Sequence, residues 1–122
     1  MDPERQSSNG PNASPSTIDA AFLALRDRTR RFVVYFLLEH ETASLSEVAD
    51  VVTGWLHTPD CGVIEPRCRN TQYLNLLHTQ IPNLVEAGVV RHDEDDGTLS
   101  LAPCPAPVRE FATRACAAET GT

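Results

Sequence analysis

The stretch NTQYLNLLHTQIPNLVEAGVVRHDEDDGTLSL, residues 70–101, changes its hydrophobic period partway along, and that change decides the fold. In its first part Leu74, Leu77, Ile81, Leu84 and Val85 recur at helical spacing. The run ends at Gly88, a residue suited to the left-handed position just past a helix. Directly after it, VVRH and TLSL flank Asp93-Glu94-Asp95-Asp96-Gly97, the pattern of two short strands joined by an acidic turn whose glycine takes the awkward dihedral. A helix running into a β-hairpin is expected. Pro82 lies inside that helix, where it removes a hydrogen bond and crowds the preceding turn, so a kink is expected there. At 100° per residue the side opposite the apolar stripe carries Gln72, Asn75, Thr79, Asn83 and Glu86, with Thr71 and His78 on its flank.

Upstream, three more helices are legible. Ile18, Ala21, Phe22 and Leu25 form a short amphipathic stripe with Ser16 or Thr17 placed to cap it. Asp27 can cap a second helix through RTRRFVVYFLLEH, whose apolar run from Phe32 to Leu38 is too dense for a surface helix and marks the central one. Arg28, Arg30 and Arg31 crowd its start, where cations oppose the helix dipole. Such a cluster reads either as functional or as arginine stems covering apolar surface. After the connection His40 to Ala43, Ser44 and Glu47 have the spacing of a capping box, and Leu45, Val48, Ala49 and Val52 form one apolar face. The stretch from Gly54 to Asn70, rich in proline, glycine and polar residues, reads as a long loop before the fourth helix. Leu25, Phe32, Val33, Phe36, Leu37, Leu45, Val48, Leu77, Ile81 and Leu84 are the expected shared core.

The ends differ from this middle. Residues 1–15 are small, polar and proline-rich, with too little apolar surface to offset the entropy of ordering, so they read as a disordered tail. Residues 16–102 read as the folded domain. Residues 103–122 read as a proline-rich connector followed by a helix whose Val108, Phe111, Ala112 and Ala115 stripe has no obvious partner in the chain and suggests a homodimer. Neither a signal peptide nor a membrane span is recognisable, so a cytoplasmic protein without membrane contact is expected.

The chain carries 17 acidic and 10 basic residues, for a formal net charge of −7, and every basic residue is arginine. An acidic, lysine-free surface suits molar salt, where screening lengths contract; a GC-rich genome that writes Arg for Lys leaves the same trace. Acidity counts against nucleic acid, whose phosphates favour basic patches. Of the four cysteines, Cys61, Cys68, Cys104 and Cys116, no pair has zinc-knuckle spacing. His57, Cys61 and Cys68, completed by His78, His92 or Cys104, are a conceivable ligand set, but irregular spacing makes buried or incidental thiols the simpler reading, with no metal and no cofactor.

The order helix, helix, helix, loop, helix, hairpin is that of the winged helix-turn-helix. The segment LALRDRTRRFVVYFLLEHETASLSEVADVV resembles the opening of ArsR-like and MarR-like repressors, and LLHTQIPNLVEAGVVRHDEDDGTLSL resembles their close. With its lysine-free acidity and the phrase His78-Thr79-Gln80-Ile81-Pro82-Asn83-Leu84, the chain is most similar to small haloarchaeal winged-helix domains of unknown function. The resemblance implies a mainly α fold with a small β-hairpin and a further C-terminal helix. It also implies a transcription-regulator-like domain that reads the major groove of double-stranded DNA with the helix over 70–87.

On that resemblance Gln72, Asn75 and Thr79, with His78 at the edge, would face bases, while Arg69, Arg91 and His92 would lie against the backbone. Arg67 and the cluster at Arg28, Arg30 and Arg31 are further cations available for phosphate. Four carboxylates at the wing tip, Asp93 to Asp96, depart from the family's basic wing. They support the alternative of a winged-helix protein-protein interaction or dimerisation module without DNA binding. No nucleophile, base and orienting group assemble from motifs, so an enzyme is not expected.

Overall fold

The computed structural model describes residues 15–57, 66–103 and 105–120. Its elements are α1 (Pro15–Ala24), α2 (Arg28–Glu39), β1 (Ala43–Ser44), α3 (Leu45–His57), α4 (Pro66–Asn75), a π-helical turn (Leu76–Gln80), α5 (Ile81–Glu86), β2 (Val90–Asp93), β3 (Thr98–Leu101) and α6 (Ala106–Thr120). The fold is mainly α with a small antiparallel sheet and a C-terminal helix. The N-terminal tail and most of the loop after α3 lie outside the described residues, as do Cys61 and Cys104 of the conceivable ligand set. Among the described residues no cluster of metal-ligating side chains occurs, and no helix is long and apolar enough to cross a membrane.

Local signals are honoured where they were strongest. Asp27 is the N-cap of α2, its carboxylate accepting from the Arg30 amide at 3.1 Å. At α3 the Ser44 hydroxyl accepts from the Glu47 amide at 3.0 Å while the Glu47 carboxylate accepts from the Ser44 amide at 2.9 Å, the reciprocal capping box. Gly88 (φ 79°) ends α5, with Val89 N donating to Leu84 O and Gly88 N to Val85 O, both at 3.0 Å. Gly97 (φ 72°) closes the hairpin turn, its amide donating to Asp93 O at 2.8 Å. One cap differs from expectation: α1 begins at Pro15, upstream of both Ser16 and Thr17, because proline fits the first helical position without losing a bond.

The hairpin is part of a larger sheet. Ala43, read from sequence as the end of a connection, and Ser44, read as a helix cap, pair with Leu99 and Thr98, so the strand order is β1-β3-β2. A two-residue strand is too short to show alternation, and only its distant partner reveals it. Across the hairpin Val90 faces Leu101 and His92 faces Leu99.

The core joins Val33, Tyr35 and Leu37 of α2, Val48 and Val52 of α3, Leu76, Ile81 and Leu84 of the long helix, Leu99 of β3 and Val108 of α6. Phe36 and Leu77, expected inside, are only partly buried and lie against this cluster. The fourth helix also differs. It starts at Pro66 rather than Asn70, and Pro82 produces not a simple kink but the π turn before it, which relieves the clash between the proline ring and the preceding turn. The extra residue shifts the helical phase. Leu76 becomes fully buried and Leu74 is left 52 % exposed, the reverse of what an unbroken stripe through Leu74 requires.

The C-terminal stripe finds its partner inside the chain. Val108 and Ala112 are buried in the common core, and Ala115 lies against it, so most of the surface expected to hold a second copy is already covered. The helix is also tied by polar bonds to α2. Arg31 donates to both oxygens of Glu119, Nε to Oε1 at 2.7 Å and Nη2 to Oε2 at 2.8 Å, and the Tyr35 hydroxyl donates to Oε1 at 2.5 Å. What α6 leaves outside is Phe111, 45 % exposed, whose ring meets Phe22 edge-on at 5.2 Å between centroids.

Candidate functional site

The surface of interest is the outer side of α4, the π turn and α5, because α3 and α4 lie against one another as a helix pair with the sheet beside them. Arg69 braces that pair. Its Nε donates to the Asp50 carboxylate of α3, and Nη2 reaches the Ser46 hydroxyl at 3.3 Å. The Asp50 hydrogen bond raises the Arg69 pKa, keeping an already permanent charge engaged within the chain. Of the seven residues singled out from the sequence, three are exposed: His78, Thr79 and, on β2, Arg91. Arg69 and Asn75 are half-buried, as is His92 opposite Leu99.

Gln72 does not belong to that outer group. It is only partly exposed, and its amide nitrogen is buried with no hydrogen-bond partner among the described residues. The π turn explains the difference. A stripe drawn at a constant 100° through Leu74 puts Gln72 opposite the core, whereas the observed core line through Tyr73, Leu76, Gln80, Ile81 and Leu84 brings Gln72 to its margin.

The face that does meet solvent runs through Arg67, Asn70, Thr71, Leu74, His78, Thr79 and Asn83. Asn83 turns back along the helix, its amide donating to the Thr79 carbonyl at 2.9 Å, so it is spoken for. Residues 66–85 contain no Asp or Glu at all, in a chain with 17 acidic residues. That acid-free run begins at Pro66, and its length is the sequence signal that identifies Arg67, Asn70 and Thr71 as members of the face.

The cations at the start of α2 are structural. Arg30 Nε donates to Ala24 O at 2.6 Å and Nη1 to Gln80 Oε1 at 3.0 Å. Arg31 adds bonds to the carbonyls of Leu25 and Arg26 beside its pair with Glu119, and Arg28 lies over the Phe32 ring at 5.2 Å. Helix-start arginines therefore gather the α1–α2 corner and fasten it to α6 and the π turn. At the hairpin tip, the Asp93 side chain accepts from Asp95 N at 3.0 Å and Asp96 accepts from Thr98 N and its hydroxyl, so two of the four carboxylates shape the turn. Glu94 and Asp95 remain exposed to solvent.

The α6 tie has a pH signature. The Arg31 hydrogen bond, aided by Tyr35, holds the Glu119 carboxyl at about 2, well below its ordinary 4.5. Burial, and then the bond to Glu119, push the Tyr35 hydroxyl upward. A depressed acid stabilises the fold above its unfolded pKa and loses that contribution as protons bind. Wild-type protein should therefore exceed Glu119→Gln in stability by a constant margin near neutrality. That margin should shrink from about pH 4.5 and vanish near pH 2, as read from urea midpoints at successive pH values. An unchanging margin down to pH 2 would rule out the tie as its source.

A family model, DUF7344, a domain of unknown function, matches residues 22–100. No curated protein and no solved structure matches the chain.

Proposed function

We propose that this chain, which belongs to the DUF7344 family, is a DNA-binding domain of the winged helix-turn-helix type that lays the outer face of residues 66–85 in the major groove. One observation carries the reading: in a strongly acidic protein, the exposed side of the helix that leads into the wing is free of carboxylates over residues 66–85 and opens with an exposed arginine. Phosphate repulsion is weakest along that face, and Asn and Thr on it supply the donors and acceptors that base edges require. Asn75, His78 and Thr79 take the base-facing role with Asn70 and Thr71, while Arg67 and Arg91 take phosphates. Arg69 acts indirectly, by holding α4 to α3 through Asp50. A second copy docked on the Phe22–Phe111 edge would double the contact, and the stoichiometry of the complex reads this directly.

The competing reading, an interaction module without DNA, draws on Leu74 and Val85, which are 52 % and 42 % exposed on the same helix, and on the acidic wing. Fluorescence anisotropy with genomic duplex fragments, in molar potassium chloride and in dilute buffer, separates the two. Asn75→Ala should lose about 1–3 kcal/mol on the preferred site and little elsewhere. Arg67→Ala should weaken all duplexes alike and flatten the dependence on salt. Failure of the wild type to bind any duplex in either buffer, or indifference of binding to both substitutions, would leave the interaction module standing.

A further inference from the structure

Between α1, the start of α2 and α5 lies an open cleft of about 370 Å³, lined by Ala20, Leu23, Ala24, Arg30, Asn83, Glu86 and Ala87. Its size falls in the range of roughly 300–1,000 Å³ typical of small-molecule sites. Four lining residues are aliphatic, among them Leu23, which is 58 % exposed. Two others, Arg30 and Glu86, carry opposite charges and form no ion pair with each other. The Arg30 guanidinium is fixed by its Nε bond to Ala24 O and its Nη1 bond to Gln80, which leaves Nη2 without a partner among the described residues. Glu86 is exposed and forms no ion pair or hydrogen bond among the described residues.

A guanidinium held by two hydrogen bonds and an unpaired carboxylate lining the same cleft as aliphatic side chains discriminate among ligands. A simple anion meets Glu86, and a simple cation meets Arg30. A zwitterion satisfies both, its carboxylate on Nη2 and its ammonium on Glu86, with an aliphatic side chain laid over Ala20, Leu23, Ala24 and Ala87. We propose that this cleft binds a free aliphatic α-amino acid. The inference is independent of whether the helix face meets DNA.

The test is titration of the full chain with L-leucine, followed by calorimetry and by chemical-shift changes. Two analogues serve as controls: isocaproate, which lacks the ammonium, and isoamylamine, which lacks the carboxylate. Saturable binding of leucine is expected, with each analogue weaker by about tenfold or more, the worth of one charged hydrogen bond. Arg30 also braces Gln80, so replacing it endangers the fold, and the exposed Glu86 is the better probe. Glu86→Gln should weaken leucine by about tenfold, strengthen isocaproate by removing the repulsion of its carboxylate, and leave the melting temperature without ligand where it was. Absence of saturable leucine binding, or equal leucine affinity in Glu86→Gln and wild type, would overturn the proposal whatever the result with DNA.

Discussion

Replacing Phe32 with alanine should lower the unfolding free energy by about 3–5 kcal/mol, close to the whole stability of many domains this size. Phe32 is 4 % exposed and sits where three aromatic rings converge, with Tyr35 at 5.7 Å and Trp55 edge-on at 5.6 Å between centroids. Truncation leaves a void beneath α3, removes both ring contacts and takes the π face from under Arg28. Phe36 also meets Trp55, at 6.4 Å, but is half-buried, so Phe36→Ala should cost clearly less. Urea denaturation of the two variants decides the matter. Equal costs would mean that the aromatic cluster is not centred on Phe32.

Leu76→Ala should be as damaging, at about 3–5 kcal/mol, because its side chain is 0 % exposed, whereas Leu74→Ala should stay within about 0.5 kcal/mol of wild type. The contrast tests the phase of the helix. An uninterrupted α-helix through Leu74, Leu77, Ile81 and Leu84 would bury Leu74 and make its loss the expensive one. With the π turn at Leu76–Gln80 the burden falls on Leu76. Urea midpoints in the same buffer give the answer, and a Leu74→Ala variant costlier than Leu76→Ala would remove the π turn from the fold.

How much of this was legible in the sequence depended on distance along the chain. The Asp27 cap, the Ser44 and Glu47 box, Gly88 and Gly97 each act over a few residues, and each sits where its chemistry required. The apolar density of α2 likewise announced a central helix, and the change of period after Gly88 announced a hairpin. Long-range facts were hidden. Nothing in Ala43-Ser44 signals a strand whose partner is at Leu99, and nothing in the Val108 to Ala115 stripe says that α2 covers it.

The candidate site was half visible for the same reason. The polar, acid-free run was plain in the residues, but which of its members face water depended on the π turn. Pro82 alone suggested a kink. The bond from Arg30 to Gln80, fifty residues apart, helps fix which residues turn inward. Arg69 shows the limit most clearly: a cation ahead of a polar, acid-free stretch suggests a phosphate contact, and only the fold supplies Asp50 as its partner.

The pairing of Ala43 with Leu99 also bears on the order in which the molecule assembles. Joining two points so far apart costs only a slowly growing chain entropy once the folded state is reached, yet distant contacts are slow to find. The turn between β2 and β3 needs no such search, and neither do the helices. A folding chain should therefore possess its hairpin and its helix caps early, while β1 waits for the helical body to bring it alongside β3. Amide exchange should report this at Leu45, whose amide donates to Gly97 O at 3.3 Å, as a sheet edge that opens more readily than β2 against β3. The hairpin should thus form locally first and be joined to β1 last.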